Sequence, residues 1–356
     1  MGVNSRISFA LRATALTGVL ALCAAGSAGA QTAPLAIKVA AADHAAAHKA
    51  VSAHRRSMSV NRGAFGGRQA AAEPLSDGQL RALAQAQPSA EGGTNSGPRY
   101  MGDLHYFGGP TLTSVQQHSI YLFPTSGCPS VAACWGNPDR FLRDLGRSRF
   151  MHITDAYTGK SSNGRYGVGN SFRASIATPL AQPYTDDDML AVVHAAAVAS
   201  GQSGYGHMFN VHLPPGVDEC FDASFSVCYS PDNFDTWYFC AYHGSVDFDD
   251  VGHVVYSVEP YQNVPGCAVD PGSPNGTLVD STNSVLSHEV FEAITDPDGS
   301  GWWNWDNNGA FGEEIGDECS FLGDVGFSPS LFTVGEKQYA AQPEYKNSDH
   351  SCSVTP

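Results

Sequence analysis

His288 and Glu292 lie four residues apart in the stretch SHEVFEAITDP, which runs from residue 287 to 297. On a helix, positions i and i+4 stand one above the other on the same face. An imidazole nitrogen and a carboxylate oxygen placed in this way can grip one cation. Glu289 follows His288 directly, about 100° further round the helix. In the zinc helix H-E-x-x-H that Glu is the general base acting on water. This chain reads H-E-x-x-E, with Glu292 in the place of the second His. A carboxylate there lowers the net charge of the centre and weakens the cation as a Lewis acid. It also tilts the choice from Zn²⁺ toward harder ions such as Mn²⁺ or Ca²⁺. The expectation is a divalent cation, Zn²⁺ or another, on His288 and Glu292, with Glu289 as the catalytic base. The competing reading is an ordinary helix with a solvated acidic face.

A third ligand is needed. Asp298 lies ten residues after His288, but the tight turn that such a ligand requires has Thr295 where Gly is wanted. Glu314, in GEEIGDEC, is the preferred third metal ligand, with Asp317 behind it to orient His288. DPDGSG, beginning at Asp296, matches the first half of a calcium loop. The Glu expected at its twelfth position is Asn307, so a complete EF-hand is not expected. A partial Ca²⁺ site from Asp296, Asp298 and Asp306 competes with a polar turn after a helix ended by Pro297. His243 in FCAYHGS is a further candidate ligand, although a strand-end His hydrogen-bonded in place is the plainer reading. His44, His48 and His54 read as solvated histidines. Trp302, Trp303 and Trp305 either form a platform for sugar or peptide or pack their loop. Neither a G-x-S-x-G elbow nor a phosphate-cradling Gly loop occurs.

The elements that must position these residues follow from pattern. HSIYLFPTSG (118–127) reads as a strand and NPDRFLRDLGRSRF (137–150) as a helix. YTDDDMLAVVHAAAVASGQ (184–202) is the clearest helix, capped by Thr185, acidic in its first turn and stopped by Gly201. GHMFNVHLP (206–214), TWYFCAYHGSV (236–246) and GHVVYSVEPY (252–261) read as strands. STNSVLSHEVFEAITDP (281–297) is the site helix. The tail from residue 313 on is short-strand and turn material. Strands preceding a metal-bearing helix suit an α+β, zincin-like domain, a mixed sheet over one active-site helix.

Residues 1–30 resemble a secretory signal peptide, with Arg6 and Arg12, an apolar stretch and a small-x-small cleavage site at Ala28–Ala30. The chain is therefore expected to be secreted, extracellular or periplasmic, with no transmembrane segment. Eight cysteines follow Cys23, and an even number in an exported chain reads as disulfides. Joining near neighbours gives Cys128–Cys134, Cys220–Cys228, Cys240–Cys267 and Cys319–Cys352. Residues 31–98 carry seven Lys and Arg against four Asp and Glu, and are rich in Ala and Gly. They are expected to form a weakly helical or disordered pro-segment or linker. Residues 99–356 carry ten Lys and Arg against thirty-one Asp and Glu, a balance that disfavours nucleic acid and suits cations. They form the one domain large enough to bury a core.

WYFCAYHGS, VPGCAV, SHEVFEAITDP, the Trp-rich stretch and EIGDEC, in this order, resemble the phosphate-induced protein (EXORDIUM) family and its bacterial secreted relatives. The likeness runs over roughly 120–352 and is most specific between His288 and Cys319. It implies a secreted or wall-associated protein and a domain over 99–356. It ties Glu292 and the E-I-G-D block to His288 as one unit, and it weighs against Asp298, where relatives often carry an apolar residue. The family has no established enzymatic activity. Two functions are therefore expected to compete. One is a secreted metallohydrolase, a peptidase acting on peptide or protein. The other is a non-catalytic extracellular protein that binds protein or cell-wall glycan, with structural calcium.

Overall fold

The computed structural model describes residues 33–53, 57–61, 103–123, 128–176, 183–221, 223–269, 273–304, 314–319 and 329–356. Residues 1–30, where a signal peptide is expected, and His54, Trp305, Asp306 and Asn307 lie outside the described residues. In chain order, the elements that frame the site are β1 (Leu35–Val39), α1 (Ala41–Ala53), β2 (Ser57–Asn61), β3 (Val115–Leu122), α2 (Pro138–Leu145), β4 (Tyr166–Val168), β5 (Phe172–Ile176), α3 (Asp186–Ser200), β6 (His207–His212), β7 (Ala241–Phe248), β8 (Gly252–Glu259) and α4 (Thr277–Thr295).

Among the described residues the strands form one eight-stranded mixed sheet in the order β1-β5-β3-β6-β8-β7-β2, with β4 paired to β3. Every pairing from β1 across to β8 is parallel. Strand β7 runs antiparallel to both β8 and β2. Period-two alternation sorts the side chains. From β6, Phe209 and Val211 enter an apolar cluster with Ile120, Leu122, Tyr256, Val258 and the residues of α1 and α3. The opposite face meets α2 and α4. There Met208 and Val255 join Phe141, Leu286, Val290 and Phe291. Three layers result, with the sheet in the middle and helices on both faces. The expected mixed sheet over a site helix is present in β7, β8 and α4, and α1 and α3 cover its other side. Smaller two- and three-stranded sheets surround this frame.

The expected linker over 31–98 is structured at residues 35–53 and 57–61, where β1 and β2 form the two edges of the main sheet and α1 lies between them in sequence. LAIKV is a short strand pattern set in Ala-rich surroundings, which mask it in the sequence. Its stability comes from pairing with β5, Leu35 to Phe172 through Val39 to Ile176. Ala47 and Ala50 of α1 are buried, and Asp43 anchors the helix by accepting from His194 of α3 at 2.7 Å.

All four near-neighbour disulfides are present: Cys128–Cys134, Cys220–Cys228, Cys240–Cys267 and Cys319–Cys352. None of the described helices is long and apolar enough to cross a membrane.

Candidate metal centre

Helix α4 is unusual in what it buries. Every side chain from Asp280 to Thr295 is buried, although Asp280, Ser281, Thr282, Asn283, Ser284, Ser287, His288, Glu289, Glu292 and Thr295 are polar or charged. An apolar core gives such residues nothing to bond. The sheet face above α4 is polar for the same stretch. Register places Tyr121, His212 and Glu259 in one row across β3, β6 and β8, and Ser119, Asn210 and Ser257 in the next. Strand β7 adds His243, in register with Ser257.

Two groups of donors converge around the C-terminal half of α4. In the first, His288 Nε2 lies 2.8 Å from Glu292 Oε1 and 3.5 Å from Asp317 Oδ1. The backbone N–H of Asp317 donates to that same Glu292 oxygen at 3.1 Å. The 2.8 Å approach lacks hydrogen-bond geometry, and neither ring nitrogen of His288 has a hydrogen-bond partner among the described residues. In the second group, His243 Nδ1 lies 3.2 Å from Glu289 Oε2 and 3.5 Å from Glu292 Oε2. His243 Nε2 lies 3.1 Å from the carbonyl oxygen of Asp296 and 3.8 Å from Glu314 Oε1. The ligand atoms of His288, Glu292 and Asp317 lie within 4.8 Å of one another, as do those of His243, Glu289 and Glu292.

The i, i+4 spacing thus brings His288 and Glu292 together as expected of a helix. Asp317 was expected behind His288, but its carboxylate comes directly to the shared point. Glu314 was expected as the third ligand. It is buried in the same cluster, and its nearest described ion-pair partner is His243. Asp296 and Asp298, two of the three residues expected at a partial Ca²⁺ site, serve different partners. Asp296 Oδ1 accepts from the backbone N–H of Ser300 and Gly301, which makes it a turn cap. Asp298 Oδ2 accepts from Tyr205, and its Oδ1 lies 3.3 Å from His253. Trp302 and Trp303 turn largely inward, Trp302 donating to the Tyr157 carbonyl at 2.8 Å. Glu259, Glu344 and Gly316 belong to the site and were not singled out from sequence. The alternation in GHVVYSVEPY, which puts Ser257 and Glu259 on the His243 face, is the signal that pointed to Glu259.

The electrostatics favour a cation. Burying a carboxylate costs several kcal/mol unless a counter-charge is present. Among the described residues, the ion pairs of Glu289, Glu292 and Glu314 are all with histidine. Burial pushes the carboxyls of Glu314, Glu344 and Glu259 well above the usual carboxylate range. Glu289 is also raised, chiefly by burial, against the pull of its hydrogen bond with His243. Glu292 is held low, at about 2, because the neighbouring His288 and His243 outweigh burial. Burial alone would lower His243, but Glu289 and Glu292 hold it up to about 10. Both oxygens of Glu314 and of Glu344, Oε1 of Glu289 and Oε2 of Glu292 are buried without a hydrogen-bond partner among the described residues. This donor set, imidazole nitrogen with carboxylate oxygens around a buried point, fits a divalent cation.

No family model, no curated protein and no solved structure matches the chain.

Proposed function

We propose that this chain is an exported metal-dependent hydrolase of the peptidase kind, zincin-like in the way its mixed sheet lies over the His-Glu helix. The observation that carries the reading is the convergence of His288, Glu292 and Asp317, all buried, on one point. These three side chains would hold the cation, Zn²⁺ or a harder ion such as Mn²⁺, which would supply Lewis-acid polarisation of the scissile carbonyl and a more acidic water. Glu289 serves as the base. Its Oε2 is held by His243, its Oε1 has no hydrogen-bond partner among the described residues, and its raised proton affinity suits transfer near neutral pH. Glu289 takes the proton of the attacking water and delivers it to the leaving amine. The two blocks that most resemble EXORDIUM-type proteins, the His-Glu helix and E-I-G-D, are the two that build this site. The four disulfides accord with export.

A second reading, a non-catalytic binding protein, draws on one feature. Tyr106 and Phe107 are about half exposed and lie against Trp302 and Trp303, with ring centroids 5.3 and 5.6 Å apart. Aromatic surface of this kind suits glycan or protein. Metal analysis together with peptide-library cleavage, with and without a chelator, separates the two. The hydrolase reading expects a bound divalent cation and chelator-sensitive cleavage. Protein that retains no divalent cation after reloading, or cleaves equally well in chelator, defeats it.

A further inference from the structure

We infer that the site has two cation positions bridged by Glu292, the second formed by His243, Glu289 and Glu292. This deepens the hydrolase reading and rests on it for the first position only.

The two oxygens of Glu292 face different partners. Oε1 faces His288 and the Asp317 backbone N–H, at 2.8 and 3.1 Å. Oε2 faces His243 Nδ1, at 3.5 Å. A carboxylate that serves a different histidine with each oxygen has the disposition of a bridging ligand, which in two-metal sites joins ions about 3.5–4 Å apart. Each position then has one imidazole and a matching set of carboxylates. His288, Glu292 and Asp317 make the first, and His243, Glu289 and Glu292 the second.

Three further observations point to the second position. Glu289 Oε1 and Glu292 Oε2 are fully buried and have no hydrogen-bond partner among the described residues. His243 has the arrangement expected of a ligand. Its Nε2 lies 3.1 Å from the Asp296 carbonyl oxygen, which can only accept. The N–H is therefore fixed at Nε2 whenever the ring is neutral, and the Nδ1 lone pair faces Glu289 and Glu292. Metal-bound histidines are oriented by this kind of outer hydrogen bond. Finally, the place is crowded with buried acid. Glu289, Glu292 and Asp317 line the two positions, and Glu314 lies 3.8 Å from His243. Each divalent cation bound eases the cost of burying these groups together.

Glu289 distinguishes the two states. With one cation it is free to act as the base. With a second cation seated it is a ligand, and its Oε1 is no longer available for the proton.

The test is metal stoichiometry in the purified, disulfide-intact protein, stripped with chelator, reloaded with Mn²⁺ and freed of excess ion. Wild type should hold two Mn²⁺ per chain and give the exchange-coupled electron paramagnetic resonance spectrum of a Mn²⁺ pair. His243→Ala and Glu289→Gln should each hold one, with the spectrum of an isolated ion. Circular dichroism checks the fold of each variant. Should His243→Ala unfold, wild type and Glu289→Gln still decide. One Mn²⁺ per wild-type chain, unchanged in Glu289→Gln, overturns the second position and leaves the first standing. No Mn²⁺ in wild type overturns both.

Discussion

Gly316 lies against the imidazole of His288: a Cβ at position 316 would stand 2.5 Å from Nδ1 and 2.7 Å from Cε1. No real Cβ tolerates that approach. Gly316 also sits between Glu314 and Asp317, and its carbonyl accepts from Gln342. The acidic block is thus seated directly on the ring, which is how Asp317 reaches His288 Nε2. Gly316→Ala is expected to push the ring away from Glu292 and Asp317. Overpacking costs about 1–3 kcal/mol, so the domain should fold while its affinity for the cation falls at least tenfold. Competition with a chromophoric chelator measures this. Unchanged affinity would show that His288 does not ligate through the pose described.

The roles assigned on α4 separate cleanly by substitution. Glu289→Gln keeps the shape of the side chain and removes its basicity. Peptide turnover should fall by roughly 10²–10⁴, while the cation at His288 is retained. His288→Ala removes the only imidazole of the first position and should release that cation. Metal content and turnover measured on the same preparations check both. Full turnover in Glu289→Gln would remove it as the base.

Much of this site was legible in the sequence because helices and prolines act locally. The i, i+4 pair His288–Glu292 needs only a helix, and Pro297 ends that helix where expected, at Thr295. The contribution of His243 was harder to see. It depends on β7 pairing with β8 in a register that sets His243 opposite Ser257, and sequence does not state register. Glu344 reaches the site from a two-stranded piece of the tail, Glu344–Lys346 paired with Ser351–Ser353, which carries too few residues to show periodicity. The strands at the sheet edges were missed for a related reason. LAIKV has β character only in the company of β5, and the surrounding Ala-rich composition points to disorder when taken alone.

The disulfide Cys319–Cys352 closes the short helical turn that begins at Asp317, and so ties a proposed ligand to the tail. The bond encloses a sequence separation of 33 residues, for which loop-closure entropy gives about 3–4 kcal/mol. The double variant Cys319→Ser, Cys352→Ser should lose roughly that much stability in urea. It should also bind the cation more weakly, since Asp317 is no longer held in place. Thiol titration of the unreduced, denatured wild-type protein should find its eight downstream cysteines paired. Two or more free thiols would contradict the pairing.

The last expectation concerns acid stability and lies beside the candidate metal centre. His212 ends β6, fully buried, stacked on Tyr121 with ring centroids 5.1 Å apart. Neither of its ring nitrogens has a hydrogen-bond partner among the described residues. Burial therefore penalises its charged form and lowers its pKa from 6.5 to about 3. As pH falls below 6.5 the unfolded chain binds a proton at this residue and the folded chain does not. Stability is thus lost progressively from about pH 6.5 down to about pH 3, and no further below that. Replacing His212 by Phe keeps an aromatic ring against Tyr121 and removes the titration. Between pH 7 and pH 4 the wild type should lose about 3 kcal/mol more than the variant, at roughly 1.4 kcal/mol per pH unit. Reversible urea unfolding of both proteins at the two pH values, disulfides intact, reads the difference directly. Equal losses would mean that His212 charges normally in the folded protein, and so that its ring has a partner or a path to solvent.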